Sequence, residues 1–301
     1  PPKKHDDRGI SLRTGMAPWV VAELRSLVPP DEVDPAALAV GERGPLSLRV
    51  NTCRSSVEDL AASLAEAGAE PTRGAIDPDT LLLPGGDPTR HPGWDDGAFA
   101  VQDQASAFVA ATVDARPGDR VLDACAAPGG KTAILACRVG DAGIAVAADA
   151  HPGRAALMPP LLGRLGLRAP VLAQDARAPA LRGPFDRVLV DAPCSGVGSA
   201  RRRPELLWRP ERRELSGLAR LQVAIVAGVA ELLAPGGRLV YSVCTFPRAE
   251  TDAACDAIAR HRADLRPIET PGPDGAVLRH RLWPHRHGTD GMFVAAFERR
   301  R

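Results

Sequence analysis

From about residue 102 onward, short apolar segments alternate with segments of helical pattern, and this alternation constrains the fold more than any other feature. The apolar segments have the length of buried strands and lie at 120–124, 144–148, 171–174, 185–190 and 238–243. Helical patterns cover 104–113, 131–137, 154–165 and 211–233. Such alternation is typical of a parallel sheet with helices on both faces. We therefore predict an α/β fold with a doubly wound, mostly parallel, Rossmann-like sheet over residues 101–301.

The first hundred residues have a different pattern, in which helix and strand are interleaved. The predicted elements are a helix within 16–40, a strand at 46–50, a helix at 57–67 and a strand at 80–83. Ser55 and Glu58 have the spacing of a capping box for the second helix. We predict a smaller N-terminal α+β domain over residues 1–100, with a helical lead-in. The polar residues 1–8 are expected to be a disordered lead-in or a truncated start.

Composition excludes several classes of protein. The 301 residues contain no run of about 18 apolar residues, so no membrane span is expected. The polar N-terminus lacks the apolar core of a signal peptide, and we expect a cytoplasmic monomer with reduced thiols. No two of the six cysteines form a Cys-x-x-Cys pair, and the histidines near the C-terminus lack matching ligands. We expect no metal site, and we interpret Cys53, Cys137 and Cys255 as small buried hydrophobic residues.

Two cysteines follow directly after predicted strands. Cys194 lies in Asp-Ala-Pro-Cys-Ser-Gly at 191–196, and Cys244 follows the strand at 238–243. Open α/β folds place their chemistry at the carboxyl ends of the strands. Two thiols in such positions indicate covalent chemistry rather than a structural role.

The loop after the first strand indicates the kind of cofactor. It reads Cys-Ala-Ala-Pro-Gly-Gly-Lys at 125–131, which is neither Gly-x-Gly-x-x-Gly nor a phosphate loop, because Cys125 stands where the first glycine should be. A glycine-rich turn at a helix start still offers backbone N–H groups to a carboxylate. Asp149 closes the next strand, where it can accept the ribose hydroxyls, and Asp175 closes the third, where it can hold an adenine amino group. For each aspartate alone a helix cap is the alternative, but in this order the aspartates favour S-adenosylmethionine over a nicotinamide cofactor.

A basic stretch at 200–213 follows the Cys194 loop and contains Trp208. Arginines beside a reactive group suit a phosphate-bearing substrate, and the indole suits a stacked base. A solvated face is the alternative for charged runs, above all for the C-terminal tail, and packing in the core is the alternative for Trp208.

These motifs together resemble the RsmB/Sun family of RNA (cytosine-5) methyltransferases. The matching segments are 46–51, 101–106, 122–132, 190–196, 203–208, 233–237 and Cys244, with a weaker match at 290–293. The resemblance covers residues 44–300 and implies that residues 101–301 form an S-adenosylmethionine-dependent methyltransferase domain. It also implies that residues 1–100, which are too short for the extra N-terminal helical domain of some members, bind RNA.

The resemblance further implies a role for each motif residue. Cys244 corresponds to the nucleophile that attacks carbon 6 of cytosine, and Cys194 to the cysteine that assists product release. Asp191 corresponds to the aspartate beside the base and the methyl donor, and Lys131 to a motif lysine near the donor and the active site. A cation in that position can lower the thiol pKa. The implied cofactor contacts are Cys125, Ala126, Ala127, Pro128, Gly129, Gly130, Lys131, Asp149, Asp175 and Asp191.

The sequence departs from the family pattern at Val243, where threonine is usual before the nucleophile, and in the loosely matching segment 245–250. The leading hypothesis is an RNA cytosine-5 methyltransferase acting on ribosomal RNA, with tRNA as the second substrate class. The alternatives are a non-catalytic RNA-binding or ribosome-assembly factor of the same fold and a DNA cytosine methyltransferase. The last would use the cysteine of the Pro-Cys motif, Cys194, as its nucleophile.

Overall fold

The structure is a computed structural model that describes residues 6–301. Its α-helices are α1 (Asp7–Thr14), α2 (Pro18–Arg25), α3 (Val33–Gly41), α4 (Val57–Glu66), α5 (Gln104–Thr112), α6 (Gly130–Val139), α7 (Pro152–Ala155), α8 (Met158–Arg164), α9 (Leu215–Ala230), α10 (Asp252–His261) and α11 (Pro284–His287). Its strands are β1 (Leu46–Val50), β2 (Thr72–Arg73), β3 (Thr80–Leu83), β4 (Phe99–Val101), β5 (Arg120–Asp123), β6 (Ile144–Asp149), β7 (Val171–Ala173), β8 (Phe185–Asp191), β9 (Leu233–Val243), β10 (Leu265–Ile268), β11 (Arg279–Leu282) and β12 (Met292–Arg299).

The larger sheet has the order β10-β12-β9-β8-β5-β6-β7, with β11 paired to β12. Strands β5 to β9 pair in parallel, whereas β12 pairs antiparallel with β9, β10 and β11. Alternate residues of each strand enter cores on opposite faces. One core packs against α9 and α10 and the other against α5 and α6. The predicted doubly wound, mostly parallel α/β fold is confirmed.

The C-terminal strands were not predicted, because the sequence pattern near the end of the chain indicated only a basic tail. β12 inserts between β9 and β10, and its residues 292–297 are buried throughout. The alternation of strand and helix that identified the parallel strands does not extend to this part of the chain, and periodicity alone does not separate a short buried strand from a buried helix segment. The predicted helix at 154–165 is two helices, α7 and α8.

The smaller sheet is antiparallel in the order β2-β3-β1-β4 and encloses a core with α4. Helices α1 to α3 pack elsewhere, against residues 197–207, Phe246 and Trp283 of the larger unit. Part of the predicted disordered start is helical, since α1 begins at Asp7, while residues 1–5 lie outside the described range. The cap of α4 is also one residue later than predicted: Ser56 accepts from the N–H of Asp59.

The prediction of six reduced thiols is wrong for one pair. Cys53 and Cys137 form a disulfide with a Cα–Cα distance of 5.9 Å, which joins the turn after β1 to α6. The two cysteines are 84 residues apart in sequence, and only the packing of the small sheet on α6 brings them together. Cys125, Cys194, Cys244 and Cys255 are free thiols, and Cys255 is buried as expected.

Within residues 6–301, no helix combines the length and apolar character needed to cross a membrane. In the same range, no group of three or more histidine, cysteine or acidic side chains is arranged to hold a metal ion.

Candidate active site

The two strand-end cysteines meet at one edge of the sheet. β8 and β9 are parallel neighbours, with Asp191 at the end of β8 opposite Ser242 of β9. The loops that leave these strands bring the Sγ atoms of Cys194 and Cys244 to 3.4 Å from each other. The strands therefore place two free thiols in direct contact although 50 residues separate them in sequence.

A buried carboxylate that the sequence did not single out holds the two loops together. Glu250 Oε1 accepts from the backbone N–H of Ser195 and from Gln222 Nε2, both at 2.9 Å, and its Oε2 accepts from Ser195 Oγ at 2.6 Å. Ser195 Oγ also lies 2.7 Å from Thr245 Oγ1, and Tyr241 donates to the Glu250 carbonyl at 2.6 Å. The network joins the residues that follow each cysteine and sets their separation. Only the position of Glu250 at the end of the Cys244 loop pointed to it in the sequence.

Lys131 and Asp191 form an ion pair next to the thiols. Lys131 Nζ lies 2.5 Å from Asp191 Oδ2, and Ser242 donates to Asp191 Oδ1 at 2.8 Å. Burial acts to lower the pKa of Lys131, but the charge and hydrogen bond of Asp191, with Asp123 adding to them, outweigh it and raise that pKa. The lysine therefore remains a cation in the site.

The surroundings of the two thiols differ in their electrostatic effect. The hydrogen bond from Cys194 lowers the pKa of Cys244, and Lys131 and Ser199 act in the same direction against burial and the charge of Asp191. The same hydrogen bond raises the pKa of Cys194, and burial and Glu250 add to this effect. Cys244 is thus the thiol that ionises first, with Cys194 as its proton-bearing neighbour.

The loop after β5 forms one wall of a cavity of about 290 Å³. The cavity is lined by Val101, Gln102, Asp103, Ser106, Asp123, Cys125, Ala126, Ala127, Pro128, Gly130, Lys131, Asp191, Arg202, Cys244, Asp290 and Met292. Gly129 has φ 108° and caps α6 without a side-chain hydrogen bond, so the first N–H groups of the helix are open to an anion. Burial and nearby carboxylates raise the pKa of Cys125, which makes it an un-ionised packing residue of this loop.

Asp123 is a second residue that sequence reasoning missed, although it closes β5 in the way Asp149 closes β6. Its Oδ2 accepts from Thr132 at 2.7 Å, and its buried Oδ1 has no hydrogen-bond partner among the described residues. Burial raises the pKa of Asp123 to about 7. An orphaned acceptor beside an open helix start fits an amino acid group, ammonium to Asp123 and carboxylate to the N–H groups of α6, as the methionine part of S-adenosylmethionine requires.

The other two predicted cofactor aspartates lie outside the cavity lining. Asp149 is buried behind the loop, where it accepts from the N–H groups of Ala127 at 3.3 Å and His151 at 3.0 Å. Asp175 follows β7, the neighbour of β6, and is exposed in a fork with Arg177. The structure thus brings the loop, Lys131, Asp191 and both cysteines together, and sets Asp149 and Asp175 along the same sheet edge further from the thiols.

A third feature absent from the sequence prediction is an acid–arginine cluster on the opposite wall of the cavity. Arg202 bridges Asp103 at 2.9 Å and Asp290 at 3.1 Å. As part of the basic stretch 200–213, Arg202 was predicted to bind phosphate, but its charge is already compensated by two carboxylates. The guanidinium of Arg201 next to it donates hydrogen bonds to the backbone carbonyls of residues 42, 288 and 289.

Two residues left open by the sequence now have definite surroundings. Val243 is fully buried opposite Phe293 of β12, so its side chain belongs to the core and not to the site. Trp208 is 57% exposed, so it does not pack as one alternative required.

The fold and the site together are those of an S-adenosylmethionine-dependent methyltransferase. The sequence profile of the 16S rRNA methyltransferase RsmB/F family matches residues 110–298, and that of the RsmF/B-like ferredoxin-like domain matches residues 16–89. Because the first match covers more than half of the chain, the protein belongs to the RsmB/F methyltransferase family, as its motifs predicted.

Individual relatives agree with this assignment. A Mycobacterium tuberculosis (strain H37Rv) protein, which its name places among the methyltransferases, is 39% identical over 290 residues, 93% of this chain and 60% of the relative. The ribosomal RNA small subunit methyltransferase B of Escherichia coli O127:H6 is 34% identical over 281 residues, 92% of this chain and 65% of the relative. The chain spans about 60% of the length of the first curated relatives it matches.

Two solved structures are similar over nearly the whole chain. The crystal structure of PH0851 has a TM-score of 0.88 and 30% identity, and the match covers 99% of this chain and 69% of that one. NSun6 from Pyrococcus horikoshii, crystallised with the S-adenosylmethionine analogue SFG, has a TM-score of 0.83 and 22% identity. The match covers 94% of this chain and 98% of that one. The second likeness concerns the fold alone.

Proposed function

We propose that this protein transfers a methyl group to carbon 5 of a cytosine in RNA through a covalent bond between Cys244 and carbon 6 of the base. The observation that carries the proposal is the contact of 3.4 Å between the Cys194 and Cys244 thiols, beside the Lys131–Asp191 ion pair. Family membership supports the methyltransferase class. A reaction that must both form and break a carbon–sulfur bond needs a pair of thiols in one site.

Cys244 is the attacking group. Its lowered pKa makes it the thiolate of the pair, and the thiolate is the nucleophilic form of cysteine. Attack on carbon 6 saturates the 5,6 double bond and moves an electron pair toward carbon 5 and the N3–C4 side of the ring, which makes carbon 5 nucleophilic. The Lys131 cation stabilises the thiolate, and Asp191, held by Ser242, orients that cation. Each carboxylate oxygen of Asp191 keeps further acceptor capacity for the N4 amino group of the base.

Cys194 acts after methylation. Carbon 5 then carries both a methyl group and a proton, and removal of that proton returns the electron pair that expels Cys244 from carbon 6. In the free protein the neighbouring Cys244 keeps the pKa of Cys194 high. Once Cys244 is bound to the base it is an uncharged thioether, so this effect is lifted. Cys194 then loses its own proton to solvent, and its thiolate accepts the proton from carbon 5. Because each thiol shifts the pKa of the other, Cys244 acts first and Cys194 acts second.

S-adenosylmethionine, when bound, supplies the methyl group as an electrophile. The residues proposed to hold it are the loop 125–130 with Asp123 at the amino acid end, Asp149 toward the ribose and Asp175 toward the adenine. The exposed fork of Asp175 with Arg177 would have to open for that last contact.

Ribosomal RNA of the small subunit is the proposed substrate, because relatives of this chain carry that substrate in their names. The exposed indole of Trp208 suits stacking on an unpaired base, and the neighbouring arginines suit its backbone. The small sheet with β1 to β4 is proposed as part of the RNA-binding surface.

The test is transfer of tritium from labelled S-adenosylmethionine to a small-subunit rRNA transcript. We expect Cys244→Ala to abolish transfer and Cys194→Ala to accumulate a covalent RNA–protein band on a denaturing gel. Cys255→Ala is the matched control, because Cys255 is a free thiol buried in the core away from the site, and it should retain transfer. An adduct that accumulates in Cys244→Ala instead would reverse the roles, as a DNA-type cytosine methyltransferase would require.

The same assay separates the remaining alternatives. Transfer to a tRNA pool and not to rRNA would assign the second substrate class. Transfer to no RNA, with RNA binding retained, would indicate the non-catalytic assembly factor and contradict the proposal.

A further inference from the structure

We propose that Asp290 is a specificity-determining residue that accepts a hydrogen bond from the ribose 2′-hydroxyl of the target cytidine and so selects RNA over DNA. The inference rests on the proposed function, because it places a cytosine over Cys244.

Asp290 forms part of the cavity wall, and one of its carboxylate oxygens has no hydrogen-bond donor among the described residues. The residue is 5% exposed; its Oδ2 faces Arg202 Nε at 3.1 Å and its N–H donates to Asp103 Oδ1 at 3.0 Å. Its Oδ1 is buried and has no hydrogen-bond partner among the described residues. A buried acceptor without a donor is costly, and a ligand donor would relieve that cost. Asp290 lines the same cavity as Cys244, Lys131 and Asp191.

Asp290 is held close to the nucleophile by a contact between two glycines. Gly291 donates to the Gly198 carbonyl at 2.8 Å, and Gly198 donates to the Cys244 carbonyl at 3.0 Å. A Cβ atom at Gly198 would lie 2.1 Å from the Gly291 carbonyl oxygen, and one at Gly291 would lie 2.9 Å from Gly198 Cα. Side chains other than hydrogen are excluded at both positions, so the backbone that carries Asp290 sits directly against the backbone that carries Cys244.

The order of the strands decides which part of a nucleotide faces Asp290. Cys244 follows β9, the cofactor loop follows β5 on one side of it, and Asp290 precedes β12 on the other side. Carbon 6 of the base must lie at Cys244, and carbon 5 must face the cofactor loop. The other ring neighbour of carbon 6 is N1, which carries the ribose. The ribose therefore points away from the cofactor loop, toward β12 and Asp290.

Positively charged side chains lie beyond Asp290, where the phosphate that follows the ribose of a nucleotide would be placed. Arg202 also lines a second, open cleft of about 470 Å³ together with Arg43 and Arg201. Neither Arg43 nor Arg201 forms an ion pair within 4 Å among residues 6–301, whereas Arg202 forms two, and the charge of Arg201 reaches Asp290 and acts to lower the pKa of that carboxyl. Next to the thiol lies a carboxylate cluster with a free acceptor, held by Arg202, and beyond it lie two arginines without an ion pair within 4 Å among residues 6–301. This order matches ribose and then phosphate.

The ligand chemistry is that of a hydroxyl group. A phosphate would be repelled by the free oxygen of Asp290, and the N4 amino group of cytosine lies on the side of Asp191. The 2′-hydroxyl is the group that distinguishes RNA from DNA at a single nucleotide, and it can donate to a carboxylate. A hydrogen bond to a charged acceptor corresponds to a preference of about 10-fold or more.

The test is binding of cytidine 5′-monophosphate and 2′-deoxycytidine 5′-monophosphate to the full chain, measured by saturation-transfer NMR with S-adenosylhomocysteine present. We expect the wild type to bind the ribonucleotide about 10-fold more tightly. Asp290→Ala should bind both nucleotides as weakly as the wild type binds the deoxynucleotide. Asp290→Asn should keep the preference, because its amide can donate to the same hydroxyl oxygen.

Glu231→Ala is the matched control, since it removes a carboxylate that pairs with Arg262 and does not line the cavity, and it should leave the ratio of the two affinities unchanged. Equal wild-type affinities, binding of neither nucleotide, or a preference that survives Asp290→Ala overturns the inference, and the wild-type comparison needs no variant to fold. Methyl transfer is read separately. An active enzyme without the ribose preference contradicts this inference alone, whereas an inactive protein that keeps the preference contradicts the proposed function alone.

Discussion

The strongest structural prediction concerns Glu250, whose carboxylate ties the loop after β8 to the loop after β9. Glu250→Ala removes the acceptor of three hydrogen bonds at once, from the backbone and hydroxyl of Ser195 and from Gln222. All three donors are buried. The substitution therefore acts on stability and on the thiol pair together.

The magnitude follows from what the substitution leaves behind. A hydrogen bond to a charged acceptor contributes about 1.5–3 kcal/mol, which gives an upper bound near 9 kcal/mol for three. Two effects reduce this bound: the cost of burying the carboxylate disappears, and water can enter the space vacated by the side chain. We expect a net loss of about 3–5 kcal/mol in the free energy of unfolding, the range found when one partner of a buried charged group is removed.

The assay is guanidinium unfolding followed by tryptophan fluorescence, with iodoacetamide alkylation of Cys244 measured in parallel. Loss of the Ser195 anchor should release Cys194 from its 3.4 Å contact, raise the pKa of Cys244 and slow its alkylation. Glu231→Ala is the matched control. Glu231 is 69% exposed, and its partner Arg262 also pairs with Asp264, so the removal of Glu231 should cost less than about 1 kcal/mol.

The reasoning fails if Glu250→Ala unfolds within about 1 kcal/mol of the wild type, at the level of the surface control. It also fails if the variant is destabilised but Cys244 is alkylated at the wild-type rate, because the network would then support the fold without setting the thiol contact.

Three further predictions follow from the site. Burial raises the pKa of Asp123 from 3.8 to about 7, so its contribution to stability is full below about pH 3.8 and is lost as pH rises through about 7. This loss amounts to about 4 kcal/mol in the free energy of unfolding. Asp123→Asn should abolish it in urea titrations made between pH 3.8 and pH 7, and the same dependence of stability on pH in both proteins would contradict the prediction. Lys131→Met should raise the pKa of Cys244 and slow its alkylation near neutral pH by about 10-fold, and an unchanged rate would remove Lys131 from the activation of the thiol. Val243→Thr should leave Cys244 alkylation unchanged and lower stability by about 1–3 kcal/mol, because the new hydroxyl would be buried opposite Phe293; faster alkylation would show that residue 243 acts on the nucleophile.

Much of the fold was predictable because parallel strands in a two-sided sheet leave a strong local signal. Each of β5 to β9 was located to within a few residues, apart from the early start of β9, since these strands are short apolar runs bounded by turns. β12 was missed because its partners, β9, β10 and β11, are set by tertiary pairing and not by its own pattern. The same reason explains the Cys53–Cys137 disulfide, which joins the turn after β1 of the smaller sheet to helix α6.

The sequence by itself determined which reactive side chains lie at the edge of the larger sheet. The strand ends carry Cys194, Cys244 and Asp191, and the loop before Lys131 lacks the pattern of a nucleotide phosphate site. These features are local, because a residue that follows a buried strand must lie at the sheet edge whatever surrounds it.

Only the tertiary structure decided how those residues act on one another. The 3.4 Å contact of the thiols, the anchoring by Glu250 and the free oxygen of Asp290 all depend on segments far apart in the chain. Burial and charge, which set the pKa of each thiol, are properties of the assembled site. A strand-end position can be predicted from sequence, but which thiol of a pair ionises depends on neighbours that only folding supplies.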